Sequence, residues 1–354
     1  MGKILVYQKG ECQMNRKKKI AFIISISCIA AGIVLAVAAL AVVKFDFSKL
    51  STVQYNTTTC QIEETFTRLD IQVPDCDIHL IPSKDGTCRI VSTESENVTQ
   101  TIEVKNDTLV VRRTDDRRWY ERIGLYWGNF SVTVYLPESV YEDLKIKSTS
   151  GNITIQKGLT FQNAETVASS GDISFDGIVK NGLMAKTTSG NLSICNQTGG
   201  KLDIQSTSGN IMLNNINADI LDANSTSGNV VLQSVAINQK IFLKSVSGEL
   251  TGENMSGKSL TAKTGSGNIK FTDVVIKGDM ELEATSGDIR FTRNDAENIV
   301  IKTASGNIKG SLLSNRLFHF HTVSGDVSVP DSVSSAKRCE ASTTSGDIHI
   351  TIEP

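Results

Sequence analysis

Leu202-Asp203-Ile204-Gln205-Ser206-Thr207-Ser208-Gly209-Asn210-Ile211 is answered 19 residues later by Leu221-Asp222-Ala223-Asn224-Ser225-Thr226-Ser227-Gly228-Asn229-Val230. The shared tripeptide Ser-Gly-Asn/Asp/Glu extends outward from this pair in both directions. Its glycine stands at 151, 171, 190, 209, 228, 248, 267, 287, 306, 325 and 346, a spacing of 19 to 21 residues. So narrow a period, held over eleven copies, marks one supersecondary unit stacked on itself.

Aligned on that glycine, apolar residues alternate with polar ones. Leu202, Leu221, Ile241 and Leu260 stand seven residues before it, Ile204, Leu243 and Ile301 five before, and Ile211, Val230, Leu250 and Ile269 two after. A period of two means strands with one buried face. Each repeat is expected to give two short strands bent at the Ser-Gly-Asn corner, each pairing with its equivalents in the neighbouring coils. The predicted fold is all-β, a single-strand-stacked parallel β-solenoid (β-helix) of about eleven regular coils over residues 144–354, on the order of 50 Å long at ~4.8 Å per coil. Glycine at the corner permits positive φ, and Asn or Asp tolerates similar geometry. Small Ser and Thr three residues earlier (Ser206, Ser225, Ser245, Thr264) are expected to point inward and form hydroxyl ladders. Residues 60–143 alternate in the same way without the tripeptide, as in Leu69-Asp70-Ile71-Gln72-Val73, and are predicted to be irregular N-terminal cap coils. At the other end Glu353 and Pro354 close the chain and discourage further pairing.

Residues 20–43 carry no charge and no proline; at ~1.5 Å per residue they span ~36 Å as a helix, enough for a bilayer core of ~30 Å. Arg16, Lys17, Lys18 and Lys19 abut the N-terminal end of this run, while only Lys44, followed by Asp46, flanks the other. The positive-inside rule then leaves residues 1–19 as a cytoplasmic tail, 20–43 as the anchor, 44–59 as a linker and the solenoid outside the cell membrane. A cleaved signal peptide is the rival reading, with small residues at Ala36, Ala38 and Ala39, but the apolar run continues past them. Overall charge is balanced, 36 basic against 38 acidic side chains, which gives no footprint for bulk nucleic-acid binding. Seven cysteines lack metal-type spacing. Cys76 and Cys88 flank a turn at Lys84, Asp85 and Gly86 and either pair or sit as small hydrophobes.

The run Tyr135-Leu136-Pro137, followed by Leu144-Lys145-Ile146-Lys147-Ser148-Thr149-Ser150-Gly151-Asn152-Ile153, resembles the bacterial putative-adhesin family of β-solenoid proteins with S-G-[ND]-I repeats, over about residues 60–353. The resemblance implies an envelope-associated, non-enzymatic protein, some of whose relatives are linked to envelope stress responses. It supplies no catalytic residues.

Four features compete for a site. The file Asn152 to Asp347 after each glycine reads as a corner ladder, although Asp326 and Asp347, one coil apart, offer oxygens to a divalent cation. A lysine file (Lys147, Lys186, Lys244, Lys263, Lys302) runs beside an acidic one (Glu165, Asp203, Asp222, Glu281, Glu340), which suits surface ion pairing better than an anionic polymer. His319 and His321 share an outward face without an evident third zinc ligand, so no metal and no cofactor are expected. Residues 112–130 break the pattern: both tryptophans of the chain lie there, and Trp119, Tyr120, Arg122 and Trp127 are the candidate binding residues, either as partner anchors or as a loop folded over the first coil. Outward carboxylates are dispersed, and no acid/base pair stands out for glycan cleavage. The function expected is a membrane-anchored envelope scaffold, adhesin-like binding module or envelope-stress sensor whose partner is an envelope polymer or a membrane protein. The alternative is a self-assembling structural protein stacking through solenoid ends.

Overall fold

The computed structural model describes residues 16–42, 55–95, 97–116, 118 and 130–353. Trp119, Tyr120, Arg122 and Trp127 lie outside the described residues. The described chain comprises a helix, Arg16–Val42, and a β-solenoid. Lys19–Val42 is long and apolar enough to cross a membrane.

Each regular coil is a closed turn with three inward-facing runs, one more than the alternation suggested. The strand Ile211–Ser225 shows why. Its first run pairs Ile211 with Val230, its second Ile216 with Val235 and its third Leu221 with Ile241, all parallel, with a register shift between Ala218 and Ile220. Between the first and second runs the chain turns at Asn215, in the left-handed region at φ 55°. The same corner recurs at Asn196, Ser234, Asn254, Asp273 and Arg293. Four of these six are Asn or Asp, the L-residues that tolerate this conformation best. The side chains also relay along the stack: Asn215 Nδ2 donates to Asn196 Oδ1 at 2.6 Å. Inward residues such as Ile211, Leu213, Ile216 and Leu221 are at most 2% exposed. Each such side chain contributes roughly 1.5–3 kcal/mol on burial, against the ordering entropy of its coil.

At the Ser-Gly corner the expected φ > 0 is found only at Gly325 and Gly346 among the motif glycines. Glycine is needed elsewhere for close approach: a Cβ on Gly209 would lie 1.7 Å from the carbonyl oxygen of Gly190 in the next coil. Nor do the Ser and Thr hydroxyls chain to one another. Ser206 Oγ donates to Gly190 O at 3.2 Å and accepts from Gly209 N at 2.9 Å, and Ser225 repeats both bonds one coil on. A hydroxyl thus satisfies two backbone groups of the corner, which is a stronger reason for its presence than a side-chain ladder.

Stacking order departs from chain order at both ends. Arg68–Gln72 and Asp77–Pro82 form an inner N-terminal coil, flanked on one side by the Gly151 coil. On its other side lies an outer N-terminal coil made of Thr108–Asp115 and Ser131–Leu136, later in sequence. Beyond that coil the parallel regime ends: Cys88–Glu94 pairs antiparallel with Ser131–Leu136, Asn56–Ile62 with Cys88–Glu94, and Val98–Lys105 with Thr108–Asp115. At the opposite end Arg338–Ser345 and Ile348–Ile352, last in the chain, form an inner C-terminal coil. It slots between the Gly306 coil and an outer coil of Leu317–Ser324 and Val327–Ser328. The final strand is therefore not the edge that Glu353 and Pro354 were expected to guard.

Candidate functional site

The corner file is a structural ladder along most of its length. Asn210 N donates to Asn191 Oδ1 at 3.0 Å, Asn229 N to Asn210 Oδ1 at 2.9 Å, and Asp347 N to Asn307 Oδ1 at 2.9 Å. Asp326 N continues it onto Asp347 Oδ1 at 2.9 Å. Of the oxygens considered for a cation, Asp347 Oδ1 is thus engaged with a backbone N–H, the bond a carboxylate or amide makes to close a corner.

Between the lysine and acidic files, one ion pair forms along the outer face among the described residues, at Lys263. Lys263 Nζ donates to Glu283 at 2.8 Å and Glu281 at 3.0 Å, and these bonds, Glu283's first, raise its pKa. Lys145 and Glu165 stand 3.5 Å apart. All are largely solvated, so each pair contributes little, about 0–1 kcal/mol. Where the files lack complementary partners, a groove of about 360 Å³ opens along the stack, lined by Lys186, Gln205, Thr207, Asn224, Thr226 and Lys244. Sequence reasoning counted its lysines but missed the groove, because a groove across strands depends on which outward residues fall in register.

His319 and His321 face outward, and the altered coil order gives His319 a neighbour no sequence argument supplied: it pairs directly with Glu340 of the inner C-terminal coil. Lys302 shares the shallow cavity they line. No three metal-ligand side chains are gathered among the described residues.

Cys76 and Cys88 are both free and buried, and burial pushes each thiol up to about 11. Cys339, at 0% exposure, rises to about 12 for the same reason. These are core thiols, far from the thiolate state that reactivity requires. Tyr141 is raised by burial, and its hydroxyl donates to Pro137 O at 3.0 Å. Asp85 is lowered by hydrogen bonds from Ser83 and Thr87 within its turn.

One polar cluster escaped the sequence reading. Arg316, with a side chain at 0% exposure, donates to Ala296 O at 3.1 Å and Ser314 O at 3.3 Å and is paired with Asp295. Lys337 Nζ reaches the other Asp295 oxygen at 2.6 Å. Arg316 precedes the outer C-terminal coil and Lys337 the inner one, so the cluster ties together the two connections that exchange places. Its role is to hold that crossing.

Among solved structures, the fold is similar to a "putative adhesin" from Bacteroides fragilis, at 15% identity, covering 86% of this chain and 99% of that one, with a TM-score of 0.34. A second protein so described, from Parabacteroides distasonis, shows 11% identity over 84% and 98% of the two chains and a TM-score of 0.38. A "putative lipid binding protein" from the same organism shows 16% identity over 72% and 94%, with a TM-score of 0.37. No curated protein matches. The family model described as Toastrack DUF4097 matches residues 66–251 and again 220–353, which together take in nearly all of the solenoid, and the chain belongs to that family.

Proposed function

We propose that this chain is a membrane-anchored, extracytoplasmic solenoid acting at the cell envelope as a non-enzymatic binding scaffold. One observation carries the reading: outward side chains are locked in register from coil to coil, as in the row Met184, Asp203, Asp222, Phe242, so the surface presents fixed files for contact. The groups with the largest pKa displacements, Cys76, Cys88, Tyr141, Cys339 and Asp85, sit in the core or in a turn and do not share a cleft. The apolar helix Lys19–Val42 and the basic cluster before it support an anchor with its N-terminus in the cytoplasm.

Partner capture is assigned to Trp119, Tyr120, Arg122 and Trp127. In the sequence they lie between Thr108–Asp115 and Ser131–Leu136. Cross-linking on intact cells followed by purification tests this. W119A/W127A is expected to lose the captured partner, with a penalty of ~2 kcal/mol or more per anchor, at an unchanged thermal midpoint. A fall in midpoint that accompanies the loss would make the tryptophans a structural lid instead. An N-terminal tag removed by external protease would overturn the orientation.

End-to-end assembly draws on a different observation. Among the described residues Leu317–Ser324 and Val327–Ser328 pair on one side only, leaving a strand edge at the C-terminal end. Growth of the sedimentation coefficient with concentration would favour assembly over the scaffold reading.

A further inference from the structure

The groove beside the Ser-Gly corner, lined by Gln205 and Asn224, and the outward row next to it together present a short, self-contained pattern of side chains. Asp203 pairs in register with Asp222, and Gln205 with Asn224, one coil apart. Within each coil the amide braces the carboxylate: Gln205 Nε2 donates to Asp203 Oδ1 at 2.8 Å, and Asn224 Nδ2 to Asp222 Oδ1 at 2.5 Å. Each carboxylate keeps its second oxygen, and each amide its carbonyl oxygen, without a partner among the described residues. Exposed Thr207 and Thr226 continue the two rows toward the corner.

The coils on either side change character. Asp203 is flanked by Met184, 43% exposed, and Asp222 by Phe242, a half-buried ring with Lys240 Nζ 5.5 Å from its centroid. In the adjacent row Lys186 and Lys244 close the ends beside Gln205 and Asn224. Across four coils the order is apolar, acceptor-rich, acceptor-rich, apolar, with an end-to-end span of about 14 Å at ~4.8 Å per coil.

We propose that this groove is a subsite for an extended neutral oligosaccharide lying along the stack. The inference rests on the binding-scaffold reading and deepens it. Sugar hydroxyls are donors in pairs, and a carboxylate braced by an amide offers paired acceptors whose rotamers are already fixed, which lowers the entropic cost of binding. The C–H faces of the outer rings meet Met184 and Phe242, the apolar contact such sites combine with a few placed polar groups. Asp203 and Asp222 hold the centre of the pattern, with Lys186, Lys240 and Lys244 only at its ends, so a polyanion laid along the stack meets the carboxylates. A peptide strand is disfavoured because the groove runs across strands whose backbone groups are already paired.

The test is calorimetry of the full chain in lipid nanodiscs with cellotetraose, chitotetraose and maltotetraose. At least one is expected to bind with a Kd below about 1 mM, and D203A/D222A to weaken it about tenfold or more at an unchanged thermal midpoint. Phe242→Ala is expected to weaken it by a smaller factor, and Lys147→Ala, in the same lysine file but outside the groove, to leave it unaltered. Absence of binding by all three sugars, or binding that D203A/D222A leaves intact, overturns the subsite. Neither outcome touches the scaffold reading, whose readout is partner capture through Trp119 and Trp127.

Discussion

The two ends of the solenoid share one device and differ in what lies beyond it. At each end the first or last coil in the sequence is stacked one layer in, with a later or earlier coil outside it. Opening of that coil must therefore break ladders on both sides at once. Past this layer the N-terminal end is sealed by antiparallel strands, which change the direction of pairing and stop the parallel stack. The C-terminal end is left to a single short coil. Equivalent positions make the contrast concrete: Val132, opposite Ile78, is 0% exposed, whereas Val327, opposite Ile348, is 45% exposed. An edge strand is a liability that proteins cover or shorten. Here one end is covered and the other is shortened to Val327–Ser328.

The largest expected effect tests that asymmetry. Ile348→Asp and Val132→Asp each place a carboxylate among buried apolar side chains and are expected to cost more than ~4 kcal/mol, read as loss of cooperative unfolding or a collapse of the denaturation midpoint. Val327→Asp, in the outer C-terminal coil, is expected to stay within about 0.5 kcal/mol. A costly Val327→Asp would mean that this end is covered in solution, and would move the protein toward assembly through its ends.

Next in size is the Asp295–Arg316–Lys337 cluster, which holds the crossing at the C-terminal end only. Burial alone would raise the pKa of Asp295, but hydrogen bonds from Lys337 and Arg316 outweigh it and hold the carboxyl below its ordinary value. A carboxyl with a depressed folded-state pKa stabilises the fold above its unfolded value of ~3.9, and this contribution is lost as pH falls through the folded value. Arg316→Met is expected to cost up to about 3 kcal/mol at neutral pH, the low end for a broken buried pair because Lys337 still compensates. It is also expected to flatten the acid limb of the stability curve. Hydrogen exchange would place the weakening in residues 317–353 and spare the N-terminal end; uniform loss along the stack would show that the cluster does not act locally.

How far this contrast was legible depends on how local its causes are. Regular coils were readable because an inward residue and its corner glycine lie within a few positions of each other, so Leu202, Gly209 and Ile211 announce the same coil. The third run was hidden by brevity. Ile216 and Ala218 make too short an alternation to separate from the first run, and the signal that divides them, Asn, Asp or Ser six residues after most corner glycines, carries weight only once φ is known. Coil order was not readable at all. Ser324-Gly325-Asp326 and Ser345-Gly346-Asp347 present the same corner, and nothing within either says which stacks on Gly306. What decides is Arg316, which must be buried with Asp295, and the long connection through Pro330 that lets the last strands double back. Of the candidate sites, the charge files were read as paired, which holds at Lys263 and Glu281, while the groove lined by Gln205 and Asn224 needed the register.

The smallest effect concerns the one closure the C-terminal edge does possess. Ser332, on the connection between the outer and inner C-terminal coils, accepts from Phe318 N at 3.1 Å and lies 3.5 Å from Phe318 O. A hydroxyl here occupies the edge where a further strand would pair. Ser332→Ala removes it at a partly exposed site where water can substitute, so the loss is expected to be ~1 kcal/mol or less, too small to move the global midpoint far. Hydrogen exchange at Phe318 resolves it, because that amide opens locally and is expected to exchange several-fold faster in the variant while the amide of Ile348, one layer in, is unaltered. Equal acceleration at both amides would mean that the outer coil and the inner one open together. The shared device, a terminal strand pair locked between two neighbours, would then not protect the C-terminal end as the stacking order implies.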